Sequence, residues 1–341
     1  MIKIGNKKIP SNIIMAPMSG CTDLAFRTTV RKYGAKLCFF EMVDATSLIK
    51  KSVKTFEMLK TNSQDNPISA QLIGNDPMQM LDAANILLST VPKIVFMDIN
   101  SACPVKKIIK KKSGAYLMKS PNTLIKIART LSNKLKLPVT VKIRTGYDKN
   151  DLSLLTDLVR RLEDAGLSAI FIHGRTCKQM YSGEVDYTGI REVKNAVSIP
   201  VFGSGNIFSC ELAKKMFDET GCDGITVARG ALGTPWIFKD IENYLKTGAF
   251  AKSKNIADKK RTALEEHIRY VKKFKERSSE GNVGFMKKIT MWYTKGFPDA
   301  RSIRNKICKI KNYIQLSDFI KNLQKYSRRD GRRRAGVNIK N

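Results

Sequence analysis

Short apolar segments rich in β-branched residues recur about every 30 residues over the first two thirds of the chain. They occupy eight positions: residues 13–16, 37–40, 68–72, 94–97, 139–143, 169–172, 201–203 and 225–227. Near-continuous apolar strands of this kind are typical of parallel sheets that are buried on both faces. Amphipathic helical patterns separate them, and the clearest spans residues 151–165. Its predicted apolar face consists of Leu154, Leu155, Leu158, Val159 and Leu162, and Gly166 ends the pattern.

Eight strand-then-helix units at this spacing predict an α/β fold, a (β/α)₈ TIM barrel, over residues 1–245. The alternative for alternating strands and helices is an open, doubly wound sheet. That fold usually carries a glycine-rich turn after its first strand, whereas the first strand here is followed by Pro17, Met18 and Ser19. We therefore favour the closed barrel.

The strand signals end after residues 236–238, and only helical patterns follow. Residues 246–258 resemble a linker, and helices are predicted over 257–278, 285–293, 300–314 and 317–326. The third helix has a predicted apolar stripe that consists of Ile303, Ile307, Ile310 and Ile314. We predict a small helical domain over residues 246–326 and an arginine-rich tail, residues 327–341, that we expect to be disordered.

The chain is strongly basic, with 62 Lys and Arg residues against 30 Asp and Glu residues and a formal charge of +32. A coding bias towards lysine is one explanation. It does not explain the arginines gathered near the C-terminus, at positions 328–329 and 332–334. This concentration favours a polyanionic partner, because lysine and arginine side chains bind nucleic acid by neutralising its phosphates.

Several classes of protein are disfavoured by the sequence. No apolar run reaches the roughly 20 residues that a membrane span requires, and residues 1–10 are too short for a signal peptide, so we expect a cytoplasmic protein without a membrane partner. The seven cysteines include no C-x-x-C pair, which argues against a zinc site or a disulfide framework. With only His173 and His267, no multi-histidine metal site is expected, and His267 is predicted to lie solvated on a helix.

A TIM barrel carries its functional groups at the C-terminal ends of its strands. Cys103 follows the fourth strand on a loop, where a thiol of ordinary pKa is protonated at neutral pH and can act as an acid. Lys142 and Arg144 share one side of the fifth strand, and we expect them to point into the barrel. His173 ends the sixth strand and is expected to be functional.

The seventh and eighth strands end in glycine-containing turns, residues 203–206 and 228–230. Glycines at these two positions let backbone N–H groups approach a phosphate, and Arg229 adds positive charge. A phosphate-bearing cofactor, a neighbouring lysine and an acidic thiol together suggest flavin chemistry.

Six longer segments form recognisable motifs: MAPMSGCTDLAFR (15–27), DINSACP (98–104), VKIRTG (141–146), HGRT (173–176), ARGALGTPWIF (228–238) and WYTKGFPDARSIR (292–304). These segments closely resemble the tRNA-dihydrouridine synthases, and the bacterial B-type branch most of all. The resemblance runs from about residue 10 to 315, and the motifs occur in the family's order.

The resemblance implies an FMN-binding barrel that reduces a uridine of tRNA across C5–C6, with NADPH as the reductant. Cys103 stands where the family has the acid that protonates C5, while reduced FMN passes a hydride to C6. The implied FMN contacts are Ala16, Pro17, Met18, Gln71, Lys142, His173, Ser204, Gly205, Asn206, Ala228 and Arg229. Asn100, Arg144 and Tyr181 are expected to hold the uracil, the basic helical domain to bind tRNA, and no stable protein partner is implied.

The sequence departs from the family pattern at three small residues. Ala102 replaces a usual glycine before the cysteine, Asn206 a frequent aspartate, and Ala228 a frequent glycine beside the phosphate. These changes affect loop geometry and flavin affinity rather than the reaction. Two other functions remain open: a dihydroorotate-dehydrogenase-like enzyme that acts on a free pyrimidine, and a non-catalytic RNA-binding barrel.

Overall fold

The computed structural model describes residues 2–249, 255–275 and 278–326. The chain divides into two units: unit 1 comprises Met1–Ala231 and Trp236–Phe250, and unit 2 comprises Leu232–Pro235 and Ala251–Asn341. The predicted arginine-rich tail, residues 327–341, lies outside the described residues.

Unit 1 is a closed barrel of eight parallel strands, as the spacing of the apolar segments predicted. The strands are β3 (Ile13–Met15), β4 (Cys38–Asp44), β5 (Ile68–Ile73), β6 (Ile94–Asn100), β7 (Val139–Arg144), β8 (Ala169–His173), β9 (Val201–Ser204) and β10 (Gly224–Val227). Each pairs with the next, and β10 pairs with β3, with Val227 opposite Met15. This closure rules out the open doubly wound sheet. A short antiparallel hairpin, β1 (Lys3–Ile4) and β2 (Lys7–Lys8), precedes the barrel.

Ten helices follow the barrel strands. They are α1 (Leu24–Lys32), α2 (Ala45–Ile49), α3 (Val53–Met58), α4 (Pro77–Thr90), α5 (Lys106–Lys110), α6 (Pro121–Lys134), α7 (Leu152–Asp164), α8 (Tyr187–Ala196), α9 (Cys210–Thr220) and α10 (Ile237–Thr247). Short 3₁₀ turns occupy Gly114–Lys119 and Arg229–Ala231. Five of these helices begin after an aspartate whose carboxylate accepts a backbone N–H of the first turn, a favourable cap. In α7 the predicted buried face is correct except for Leu154, which is 69% exposed.

Aromatic rings fill the barrel interior away from its functional end. Phe96 stacks on Phe171 with centroids 5.8 Å apart, and Phe171 stacks on Phe202 at 4.7 Å. Phe39 meets the first two edge-on, at 5.4 and 5.6 Å. Ile4 of the hairpin and Ile9, which directly follows it, belong to the same buried cluster. The interior is therefore a packed core rather than a channel, and in this fold functional groups lie at the C-terminal ends of the strands.

Unit 2 is helical in its described residues. It contains α11 (Ile256–Phe274), α12 (Val283–Tyr293), α13 (Ala300–Lys309) and α14 (Tyr313–Lys321), with a 3₁₀ turn at Leu323–Tyr326. The helix predicted over 300–314 is wrong at its C-terminal end, because Asn312 caps a new helix by accepting the backbone N–H of Gln315. Ile303 and Ile307 are buried as predicted, whereas Ile314 is 70% exposed.

The prediction that His267 is solvated is also wrong. His267 has 0% exposure, and its Nδ1 lies 3.3 Å from the hydroxyl of Tyr293. The physical reason is its place on the inner face of α11, in a helical repeat with the buried residues Leu264, Ile268 and Val271. The charged residues that flank His267 in the sequence lie on the other faces of the helix, so they do not indicate that His267 is exposed.

No helix in the part of the chain that the structure describes is long and apolar enough to span a membrane. Among residues 2–249, 255–275 and 278–326, no three His, Cys, Asp or Glu side chains come together in a group that could hold a metal ion.

Candidate active site

Cys103 lies on the loop after β6 with its side chain partly exposed at the C-terminal end of the barrel. Burial raises the pKa of its thiol above the ordinary value, and the backbone N–H of Val105 and the charge of Arg144 oppose that shift. The thiol is therefore protonated at neutral pH. A partly exposed, protonated thiol at the mouth of a barrel is suited to donate a proton to a bound substrate.

Two features hold the Cys103 loop in place. The side-chain oxygen of Asn100 accepts the backbone N–H groups of Ala102 and Cys103, at 3.1 and 2.9 Å. Behind the loop, the carbonyl of Cys103 accepts the N–H of Ala115 at 3.0 Å. Gly114 has a φ of +61°, and a Cβ there would stand 2.9 Å from the Cys103 carbonyl oxygen, so only glycine fits this close approach.

Lys142 points into the barrel, where its ammonium donates to the hydroxyl of Ser204 at 3.2 Å. Ser204 in turn donates to the carbonyl of Ile172 at 3.0 Å. Burial lowers the pKa of Lys142 to about 8, partly offset by the negative charge of Asp98. Burial also raises the pKa of Asp98 to about 6. At neutral pH the two groups therefore form a buried pair of opposite charges.

His173 ends β8 among four cations, and no acid is among the groups that shift its pKa. Burial holds the pKa of His173 far below its usual range, with further lowering by the charges of Arg144, Lys142, Arg175 and Arg229. The imidazole is thus neutral at physiological pH. A neutral ring can donate a hydrogen bond from one nitrogen and accept one at the other.

Arg144 is 2% exposed and joins the loop after β6 to the loop after β8. Its Nε donates to the carbonyl of Ala102 at 2.6 Å, and its Nη1 donates to the carbonyls of Thr176 and Met180 at 2.8 and 2.9 Å. Tyr181, 49% exposed on the loop after β8, has its ring centroid 5.8 Å from the Arg144 guanidinium. Arg144 therefore fixes the backbone on both sides of the site, and Tyr181 offers an open aromatic face.

The glycine-containing turns after β9 and β10 form a compact corner. Gly205 has a φ of +138°, and a Cβ there would meet Val185 at 2.9 Å; Asn206 follows with a φ of +51°. A Cβ on Gly230 would collide with the carbonyl of Ile207. These two turns can thus bring backbone groups closer to a ligand than residues with larger side chains could.

The first strand ends at the same corner. Ala16 donates its backbone N–H to the carbonyl of Val227 at 2.9 Å, which places residues 16–18 beside Ala228. The carbonyl of Met18 accepts the N–H groups of Cys21 and Thr22 at 3.0 and 3.1 Å. All the site residues identified in the sequence lie on barrel strands or on the loops that follow them. Gln71 is buried within β5, with 1% exposure.

Three side chains at this end of the barrel were not singled out from the sequence. Asp98 is buried within β6, and an acid inside an apolar strand is a signal that sequence reading can detect. Arg175 is 1% exposed, and Phe208 is 38% exposed with its ring centroid 5.4 Å from the Arg229 guanidinium. Their positions depend on loop conformations that the sequence does not specify.

The charge balance of the site fits an anionic, phosphate-bearing cofactor. The charges of four cations act on His173, and the carboxylate of Asp98 offsets the charge of one of them, Lys142. The Nη1 of Arg175 is buried and has no hydrogen-bond partner among the described residues. A buried cationic donor without an acceptor is costly, and a bound phosphate would satisfy it.

Comparison with known proteins identifies the family of the chain. The sequence model of the dihydrouridine synthase (Dus) family matches residues 14–329. A probable tRNA-dihydrouridine synthase of Rickettsia conorii is 39% identical over 324 residues, which are 94% of this chain and 95% of the relative. The tRNA-dihydrouridine synthase B of Pseudomonas aeruginosa is 34% identical over 316 residues, 92% of either chain.

Among solved structures, the old yellow enzyme from Trypanosoma cruzi is similar in fold. The TM-score is 0.54 at 12% identity, over 71% of this chain and 90% of the other. The resemblance noted in the sequence motifs is thus confirmed over nearly the whole length: the chain belongs to the dihydrouridine synthase family of flavin-dependent oxidoreductases.

Proposed function

We propose that this protein reduces the C5–C6 double bond of uridines in tRNA, with FMN as its cofactor and NADPH as its reductant. The observation that carries the proposal is the protonated thiol of Cys103, partly exposed at the C-terminal end of the barrel, where the charge of Arg144 acts on both this thiol and the neutral imidazole of His173. Relatives that match over most of both chains are named tRNA-dihydrouridine synthases, which supports tRNA as the substrate.

Bound FMN would supply a hydride to uracil C6. The chain's part in the reaction is the proton for C5, which the Cys103 thiol donates. Burial of that thiol keeps the proton in place at neutral pH, so the acid is ready when a substrate arrives. Arg144 and Asn100 hold the Cys103 loop through bonds to its backbone, and this fixes where the proton is delivered.

We assign the flavin ring to the side of Lys142 and His173, and its phosphate to the corner that Ser204, Gly205, Asn206, Ala228 and Arg229 form. Residues 16–18 and Gln71 complete this set. The neutral imidazole of His173 can donate or accept a hydrogen bond, and it adds no positive charge to those of the four cations that act on it. The Lys142 ammonium would stabilise negative charge on a flavin ring bound beside it.

The target uracil would lie between Cys103 and Tyr181, with Asn100 and Arg144 below it. A uridine inside folded tRNA must be flipped out of its stack to reach this position, at a cost of a few kcal/mol. Binding of the tRNA backbone elsewhere on the protein must offset that cost. The proposed helical domain, residues 246–326, is the best placed by composition to do so.

Unit 2 has lysines that lie over aromatic rings. Lys275 lies 4.4 Å from the ring centroid of Phe285, and Lys272 lies 4.9 Å from that of Tyr313. Lys288 lies 5.4 Å from the ring of Trp292. Cations beside aromatic rings are typical of RNA-binding surfaces, since the cations neutralise phosphates and the rings stack on bases.

We place the enzyme in the cytoplasm, where tRNA is found.

The test uses purified flavin-loaded enzyme and tRNA from cells that lack the gene. We expect NADPH-dependent formation of dihydrouridine, detected by mass spectrometry of the digested tRNA, and its loss when NADPH is omitted. NADH in place of NADPH measures the cofactor preference. Orotate and free uridine serve as competing substrates. Reduction of either one at a rate unaffected by tRNA, without dihydrouridine in the tRNA, would overturn the proposal.

A further inference from the structure

Asp98 has 0% exposure inside the barrel, and both of its carboxylate oxygens are engaged. Oδ1 accepts the hydroxyl of Thr140 at 2.6 Å, and Oδ2 accepts the side-chain amide N–H of Gln71 at 2.7 Å. The charge of Lys142 and these two hydrogen bonds favour the ionised form against burial. At neutral pH the Asp98 carboxylate is therefore ionised and can only accept hydrogen bonds.

A chain of hydrogen bonds runs from this carboxylate to the Cys103 loop. The Oε1 of Gln71 accepts an N–H of Asn100 Nδ2 at 2.7 Å. The Oδ1 of Asn100 then accepts the backbone N–H groups of Ala102 and Cys103. Asp98 is thereby linked to the backbone of Cys103 through two side-chain amides, each with one donating and one accepting end.

The two ends of this series of hydrogen bonds have fixed donor and acceptor roles. A carboxylate can only accept, and a backbone N–H can only donate. The second N–H of Asn100 Nδ2 points to the thioether sulfur of Met42 at 3.5 Å, which is also an acceptor. Reversing either amide would place two acceptors or two donors in contact inside the barrel, and an unsatisfied buried polar group is costly. Only one orientation of Gln71 and Asn100 satisfies every member.

We propose that Asp98 is a positioning residue for Cys103, because its carboxylate sets the direction of the Gln71 and Asn100 amides and so presents the Asn100 oxygen to the Cys103 loop. This role accounts for the presence of an acid at a fully buried position of β6. The inference rests on the proposed role of Cys103 as the acid. The effect of the amide directions on the Cys103 loop can nevertheless be measured without substrate.

The alternative is that Asp98 only balances the charge of Lys142. Variants in which the carboxylate of Asp98 and the amide of Asn100 change places distinguish these two roles. In Asn100→Asp, carboxylates stand at both ends of Gln71, and one contact between two acceptors is unavoidable whichever way its amide turns. In the double variant Asp98→Asn/Asn100→Asp, Gln71 can reverse and donate to the new carboxylate. The new amide at position 98 then donates to Gln71 and accepts from Thr140.

The measurement is hydrogen–deuterium exchange at the Ala102 and Cys103 amides of the flavin-loaded protein, at a pH where both carboxylates are ionised. We expect exchange about tenfold faster in Asn100→Asp, equivalent to the loss of one hydrogen bond, and recovery of most of that protection in the double variant. The rate of Cys103 alkylation should change and recover in parallel. Thr140→Val, which removes a donor from Asp98 but leaves the amide chain intact, is the matched control with no change expected.

Recovery in the double variant supports the inference, including the case in which Asn100→Asp fails to fold and the double variant folds. A double variant that exchanges as fast as Asn100→Asp, or fails to fold with it, overturns it. If the exchange pattern follows expectation but the wild-type enzyme forms no dihydrouridine, the proposed function fails while the positioning of Cys103 stands.

Discussion

Replacement of Gly114 by alanine tests whether the support behind Cys103 matters to catalysis. At a φ of +61°, an alanine has left-handed strain of about 1–2 kcal/mol. Its Cβ would also stand 2.9 Å from the carbonyl oxygen of Cys103 and 3.1 Å from the Cβ of Cys103, where ordinary contacts begin at 3.4 Å. The Cys103 loop must therefore move by about 0.5 Å, and misplacement on this scale costs on the order of tenfold in rate.

Gly221→Ala is the matched control, because Gly221 has a φ of +63° and nothing within 4 Å of its Cβ position. Urea unfolding should show a loss of about 1–2 kcal/mol in both variants, from the shared backbone strain. Rapid-quench measurement of dihydrouridine formation should show about a tenfold loss in Gly114→Ala alone. Equal turnover in the two variants, at equal loss of stability, would refute the link between this contact and the position of the acid.

Three further outcomes are expected. Because the protonated thiol of Cys103 is the active form and burial raises its pKa above the ordinary value, turnover should hold through neutral pH and fall only at alkaline pH. A fall on acidification alone in the pH–rate profile would contradict this. Arg229→Gln should weaken FMN binding about tenfold or more in a fluorescence titration of the apoprotein, and unchanged affinity would remove the residue from the phosphate corner. Ile307→Ala should lower the free energy of unfolding by about 2–5 kcal/mol and Ile314→Ala by less than about 0.5, so equal losses in urea titrations would show that the end of α13 is misplaced.

The barrel could be predicted from the sequence because its signal is local. Each strand is a short apolar run, and each interval is long enough for a returning helix, so the periodicity specifies a parallel α/β sheet. The absence of a glycine-rich turn after the first strand then favours the closed barrel over the open sheet. Cys103, Lys142 and His173 could be found by the same reasoning, since the ends of such strands meet at one face of the barrel. Their protonation states depend on burial and on neighbours from other strands, which the sequence does not order in space.

The predictions for Ile314 and His267 were wrong because a local sequence pattern was overridden by contacts that the pattern does not contain. Ile314 continues the apolar repeat of α13, but the Asn312 cap starts a new helix before it. His267 is surrounded by charged residues in the sequence and by Trp292 and Tyr293 in the structure. The network around Asp98 joins Gln71 and Thr140 across three strands, and its geometry follows from strand register that composition does not contain.

A single-turnover experiment with Cys103→Ala tests the central claim most directly, that this thiol protonates the uracil while the flavin is oxidised. The enzyme is reduced with NADPH, mixed with tRNA that lacks dihydrouridine, and followed by flavin absorbance. We expect reduction by NADPH to proceed at the wild-type rate, and reoxidation by tRNA to slow by about 10²–10⁴-fold, the usual effect of removing a general acid. Reoxidation by tRNA at the wild-type rate in Cys103→Ala, with dihydrouridine formed in equal amount, would contradict the assignment of this residue as the acid.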